Sequence, residues 1–120
     1  MIRAALPAVA CGIVFGFTAT AGLAQTQIVE VTYACDRGVE LSVRFINPPG
    51  EAGIAVMAIE GKLVALRAIS AASGVRYVAT DEQDSYRLYT KGDEAFVAWM
   101  AADHTAGEVT ILGGCRAAPQ

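Results

Sequence analysis

The sequence has few basic residues, and they do not occur in runs. Its 120 residues include 9 Lys+Arg against 12 Asp+Glu, for a net charge of −3 and a pI near 5.0. A protein that binds the phosphate backbone of nucleic acid needs a basic patch or stripe on its surface. Nucleic acid is therefore not an expected partner.

Residue types that usually carry catalysis are also scarce. His104 is the single histidine and stands in a polar turn, and no Gly-x-Ser-x-Gly motif supplies a nucleophile. Asp93 and Glu94 are adjacent, so in a strand their side chains would face opposite sides. Because an active site requires a nucleophile with a base, paired acids or a metal cluster, we expect no enzyme activity and no cofactor.

The sequence has one long apolar segment, at its N-terminus. Arg3 precedes an apolar stretch from Ala4 to Phe17, and small residues follow up to Ala24. This order of a positive residue, a short apolar region and a small-residue cleavage site is typical of a secretory signal peptide. We therefore expect cleavage after Ala24 and export of residues 25–120 as one domain, without stable insertion in the membrane.

Three cysteines are present, and two of them remain after that cleavage. Cys11 lies within the apolar region rather than at its end and has no Leu three residues before it, so we expect no lipid anchor there. Cys35 and Cys115 form an even count in an oxidising compartment, which predicts a disulfide enclosing nearly the whole domain. A structural zinc site would need four ligands, and His104 alone does not complete one, so no metal is expected.

Alternation of apolar and polar residues predicts β-strands. Val29 to Cys35 and Val39 to Phe45 alternate in this way around a turn that contains glycine. Other short β-rich segments, separated by turn residues, are 54–59, 63–69, 75–79, 86–90, 94–101 and 108–112. Eight short strands at roughly 10-residue spacing are typical of an antiparallel sandwich or barrel. Closure into a barrel would remove the exposed sheet edges.

Segment 94–102 admits a second interpretation, because it contains good helix formers. Its apolar residues leave no polar face of helical period, so we prefer a strand. In a barrel of this size we expect side chains such as Phe45, Phe96 and Trp99 to fill the interior.

Two polar turns combine residue types that can bind a partner. Ser73-Gly74 is followed by Tyr77, and Lys91-Gly92 is followed by two acidic residues. The preference of glycine for turns with a positive φ is by itself enough to explain both the Ser-Gly and the Lys-Gly sequences.

The order of these motifs adds a resemblance to a known family. Tyr33-Ala34-Cys35 and Val43-Arg44-Phe45 precede a Ser-Gly-x-x-Tyr motif, a Lys-Gly-x-x-Ala motif and the terminal Cys115. This set resembles the MliC/PliC family, which comprises membrane-bound or periplasmic inhibitors of c-type lysozyme from Gram-negative bacteria. The resemblance implies an eight-stranded antiparallel β-barrel with c-type lysozyme as its partner. The poor context of Cys11 indicates the soluble periplasmic branch.

The resemblance also implies which residues bind the lysozyme. The inhibitory Ser and Lys of the family fall on Ser73 and Lys91, with Gly74 and Gly92 in the same turns. Tyr77 belongs to the first motif and is assigned to packing or to contact. C-type lysozyme uses one protonated and one ionised carboxyl group. The ammonium of Lys91 suits the ionised group and the hydroxyl of Ser73 the protonated one, and the reverse pairing stays open.

Two departures from the family pattern stand near these motifs. The segment between Ser73 and Lys91 is longer than usual and contains the acidic stretch 81–84, and Tyr89 stands where the family often has Trp. The alternative function is a small periplasmic ligand-binding or envelope accessory barrel that does not inhibit lysozyme.

Overall fold

The computed structural model describes residues 12, 13, 16, 24–81, 85–103 and 105–119. Most of the expected signal peptide, Cys11 included, lies outside these ranges, as do residues 82–84 and His104. Cleavage after Ala24 and the lack of a lipid anchor stay predictions. No helix within the described ranges has the length and the apolar character needed to cross a membrane.

The described residues form eight antiparallel strands that close into one barrel. The strands are β1 (Gln27–Ala34), β2 (Glu40–Asn47), β3 (Ile54–Ile59), β4 (Lys62–Ile69), β5 (Val75–Ala79), β6 (Ser85–Lys91), β7 (Glu94–Met100) and β8 (Val109–Ala117). Each strand pairs with the next one in the chain, and β8 pairs with β1. The predicted eight-stranded barrel is confirmed, and the segment with two interpretations is strand β7.

Side chains that alternate along each strand fill the barrel. The largest fully buried side chains of this core are those of Leu41, Val43, Met57, Leu66, Leu88, Val97 and Cys115. Phe45 and Trp99 pack against the core as predicted. The prediction that Phe96 lies inside is wrong. Its neighbours Ala95 and Val97 point inward, so Phe96 points to the outer face, where it is 39% exposed.

The barrel closes through a short ladder between β1 and β8. Two residue pairs, Tyr33 with Ala117 and Ala34 with Arg116, join these strands. The predicted disulfide between Cys35 and Cys115 is present immediately beyond them. The disulfide therefore reinforces the junction between β1 and β8, where few residue pairs join the strands.

A single 3-10 turn, Asp36–Gly38, connects β1 to β2 and lies against β8. Arg37 donates a hydrogen bond to the carbonyl oxygen of Ile111. Gly114 has a φ of +62°, and a Cβ there would come within 2.2 Å of a carboxylate oxygen of Asp36. The missing side chain of Gly114 thus leaves room for the turn that carries Cys35.

Candidate functional site

The two turns that the sequence singled out lie side by side at one end of the barrel. Ser73 precedes β5 and Lys91 ends β6, and these strands pair so that Val75 lies opposite Thr90. Between them Gly74 has a φ of +67°, and a Cβ there would lie 2.2 Å from the carbonyl oxygen of Thr90. Only glycine therefore allows the Ser73 turn to lie this close to the end of β6.

Ser73 and Lys91 line the same surface groove, which has a volume of about 430 Å³. The groove is also lined by Val75, Tyr89, Thr90, Glu94, Ala95, Phe96, Gly114, Cys115 and Arg116. Both Ser73 and Lys91 are exposed. No hydrogen bond or ion pair engages either side chain within the part of the chain that the structure describes. The groove can thus offer a hydroxyl and an ammonium group to a partner.

The other members of the two motifs have supporting positions. Tyr77 is only 7% exposed, and its ring packs against Phe45 with 5.5 Å between the ring centroids. Burial raises the pKa of the Tyr77 hydroxyl above its usual value of 10.0. Of the two roles considered for Tyr77, packing in the core is the one that its burial fits. Gly92 adopts a positive φ in the tight turn between Lys91 and Glu94, where open space surrounds it.

An aromatic and charged cluster on the outer face adjoins the groove. The rings of Tyr89 and Phe96 stack at 4.5 Å and 10°, and the guanidinium of Arg76 lies 5.5 Å from the centre of the Tyr89 ring. The hydroxyl of Tyr89 donates to Glu108 at 2.6 Å. Glu108 also pairs with Arg76 at 3.3 Å and with Arg87.

Electrostatics keep Glu108 ionised and Tyr89 neutral near pH 7. Desolvation by burial raises the pKa of Glu108, but the hydrogen bonds from Tyr89 and Arg87 lower it more, so it lies below the usual 4.5. Desolvation, followed by the hydrogen bond to Glu108, raises the pKa of Tyr89 above 10.0. The cluster is therefore a network of charge-assisted hydrogen bonds.

The sequence analysis did not identify this cluster. Phe96 was placed inside the barrel, and no local motif connects Glu108 with Tyr89, 19 residues earlier. Alternation gave no signal for the outward position of Phe96, because β7 carries apolar residues on both faces. Among the described residues, no three His, Cys, Asp or Glu side chains are grouped so that they could hold a metal ion.

Comparison with known proteins gives three related matches. The family model described as "Membrane-bound lysozyme-inhibitor of c-type lysozyme" matches residues 33–106. A protein of Cupriavidus necator named "Membrane-bound lysozyme inhibitor of C-type lysozyme" is 35% identical over 99 residues, which cover 82% of this chain and 73% of that protein. The crystal structure of PliC-St, a periplasmic lysozyme inhibitor of C-type lysozyme from Salmonella typhimurium, superposes with a TM-score of 0.66 and 25% identity, covering 78% of this chain and all of that one.

These matches agree with the barrel fold and with the prediction that the chain is not an enzyme, since both relatives are named as protein inhibitors. The family match includes both polar turns and, of the aromatic and charged cluster, every member except Glu108. The extent of the family match and the 35% identity of the relative establish the membership. The chain belongs to the family of membrane-bound lysozyme inhibitors of c-type lysozyme.

Proposed function

We propose that this protein inhibits c-type lysozyme by inserting Ser73 and Lys91 into the active-site cleft of the enzyme. The observation that carries this proposal is the shared groove, because two motif residues 18 positions apart in the printed sequence line one surface feature. Both relatives described above are named as inhibitors of C-type lysozyme. A paired β5–β6 ladder supports the two turns, so their spacing is set before the enzyme binds.

The chemistry of the cleft favours this pair of side chains. Lysozyme holds one protonated and one ionised carboxyl group at its active site. The ammonium of Lys91 has three donors and a positive charge that suit the ionised group. The hydroxyl of Ser73 can donate or accept, so it suits the protonated group. Together they would occupy the space that the scissile sugar bond requires.

The experiment compares the inhibition of cell-wall lysis by the parent and by alanine variants. Lys91→Ala should weaken inhibition about 30-fold or more, because truncating one partner of a buried charged contact costs at least about 2 kcal/mol. Ser73→Ala should weaken it less, since the lost hydrogen bond is worth about 0.5 to 3 kcal/mol. Both variants should melt at the temperature of the parent, because both side chains are exposed.

Matched controls are available elsewhere on the barrel. Lys62→Ala, at the turn between β3 and β4, is the control for Lys91→Ala. Ser42→Ala, on the outer face of β2, is the control for Ser73→Ala. Both controls should inhibit as the parent does. Parental inhibition by Lys91→Ala and Ser73→Ala would contradict the assignment of these residues, and a parent that does not inhibit c-type lysozyme would contradict the function itself.

The ligand-binding alternative has less support. It requires a cavity inside the barrel, whereas the inward-facing side chains of the described residues form one buried core. A small barrel whose interior is filled by side chains has little room for a ligand.

The proposed location is the periplasm. One relative is named periplasmic and the other membrane-bound. Mass spectrometry of the exported chain distinguishes a soluble periplasmic form from a lipid-anchored form. A chain that begins at Gln25 would support the soluble form, and a lipid-modified chain that begins at Cys11 would overturn it.

A further inference from the structure

The outer face of the barrel presents an exposed aromatic ring beside Lys91. In the ladder between β6 and β7, Lys91 pairs with Glu94 and Tyr89 pairs with Phe96. Side chains two positions apart on a strand share a face, so Tyr89 lies on the same outer face as Lys91, and Phe96, opposite Tyr89, lies two residue pairs along the ladder from Lys91. Phe96 also lines the groove that contains Ser73 and Lys91.

The register with β8 explains why one face of the Phe96 ring is open. Ala95 pairs with Cys115 and Val97 pairs with Leu112, so an irregularity in the ladder falls opposite Phe96. The β8 residues at this point are Gly113 and Gly114, which have no side chains to cover the ring. Tyr89 stacks on the other side of the ring. Phe96 therefore has one packed face and one face turned toward the groove.

The packed face holds the ring in place. The Tyr89 hydroxyl donates to the Glu108 carboxylate, and Glu108 is held in turn by Arg76 and Arg87. The Arg87 side chain is only 12% exposed, whereas those of Arg76 and Glu108 are 33% and 30% exposed, so the support is shielded from water mainly on the Arg87 side. An aromatic ring that is ordered before binding loses little conformational entropy on binding, which is a property of residues that dominate interface energies.

We infer that Phe96 is a third contact residue of the inhibitory surface, packing its open face on an apolar group of the lysozyme cleft. This inference rests on the proposed function, because lysozyme is the partner and the groove with Ser73 and Lys91 is the contact surface. Phe96 would add buried apolar area beside two polar contacts and exclude water from the Lys91 ammonium. Both effects strengthen binding, since charged contacts are stronger where water is excluded.

The test measures inhibition constants and dissociation rates for lysozyme with the parent and with Phe96→Ala, expressed from the full sequence. Phe96→Ala should inhibit about 30-fold more weakly, the loss expected for a hot-spot residue. Most of that loss should appear as faster dissociation. Phe96→Tyr keeps the ring and should recover most of the inhibition that Phe96→Ala loses.

Leu63→Ala is the matched control. Leu63 is 77% exposed and lies at the far end of β4 from the Ser73 turn, so this variant should inhibit as the parent does. If Phe96→Ala does not fold, Phe96→Leu provides the same test, because it keeps an apolar side chain and removes the flat ring.

Two results would overturn the inference, and they are distinguishable. Parental affinity in the folded Phe96 variant, together with a loss in Lys91→Ala, would remove Phe96 from the contact surface and leave the proposed function standing. A parent that does not inhibit lysozyme would remove the proposed function, and the role of Phe96 with it.

Discussion

Replacing Gly74 by alanine should separate the two turns of the proposed inhibitory surface. The φ of Gly74 is +67°, and an added Cβ would lie 2.2 Å from the carbonyl oxygen of Thr90 and 3.1 Å from the Cβ of Lys91. The first of these neighbours is backbone and cannot rotate away. The Ser73 turn would therefore have to move off the end of β6.

The magnitude follows from two separate effects. A residue with a Cβ costs about 1 to 2 kcal/mol in the left-handed region. Moving the turn also strains the adjoining ladder pair of Val75 and Thr90, and one lost backbone hydrogen bond costs about 0.5 to 1.5 kcal/mol. Gly74→Ala should therefore lower the free energy of unfolding by about 1.5 to 3.5 kcal/mol.

Gly61 provides a control in which an added Cβ has the cost of the left-handed conformation but strains no ladder pair. Its φ is +74°, and a Cβ there would meet nothing within 4 Å. Gly61→Ala should therefore lower the free energy of unfolding by only about 1 to 2 kcal/mol. For a domain of this size, each kcal/mol corresponds to about 4 to 8 °C in Tm, so thermal unfolding followed by circular dichroism can separate the two variants.

Inhibition of lysozyme completes the comparison. Gly74→Ala should inhibit weakly even at temperatures where it is folded, because Ser73 no longer lies beside Lys91. Gly61→Ala should inhibit as the parent does. If the two variants unfold at the same temperature, the close approach of the Ser73 turn to Thr90 does not exist in solution, and the reasoning about a preset spacing fails.

Two further predictions concern stability. The Cys35–Cys115 bond joins residues separated by 80 positions, so its reduction should remove about 4 to 5 kcal/mol by the chain-entropy model, measured as a lower denaturant midpoint with reductant than without. The pKa of Glu108 is lowered in the folded state, so its contribution is full above the unfolded value and is lost as the pH falls through the folded value. The Tm of the parent should therefore fall more steeply than that of Glu108→Gln below pH 4.5; parallel curves would contradict the role of Glu108.

Local patterns predicted most of the barrel because β1 and β2 alternate and the other strands are short β-rich segments bounded by turn residues. Segments 54–59 and 75–79 were predicted at the residues where β3 and β5 occur. The predicted end of the last strand, at residue 112, was too early. Gly113 and Gly114 interrupt the alternation, yet β8 continues to Ala117 through a bulge in which Gly114 has a positive φ. A glycine pair in the sequence does not distinguish a bulge from a strand end.

The site was predictable where a motif stands in one short segment, and not where distant segments meet. Ser73 and Lys91 were assigned from the order of motifs. Glu108 was not, because its partners Tyr89 and Arg87 approach it only after the chain folds back from β7 to β8. Phe96 was misplaced because β7 is apolar on both faces, so alternation did not indicate which face is inside.

The extra length between Ser73 and Lys91 falls between β5 and β6 in the order of the chain, not in either of the two turns that line the groove. Residues 80–84 connect the end of β5 to the start of β6, whereas Ser73 precedes β5 and Lys91 ends β6. The pairing of Val75 with Thr90 sets the spacing at the open end, and Gly74 sets how closely the turns approach. The length of a connection and the geometry of a binding surface can thus vary independently when a paired ladder separates them.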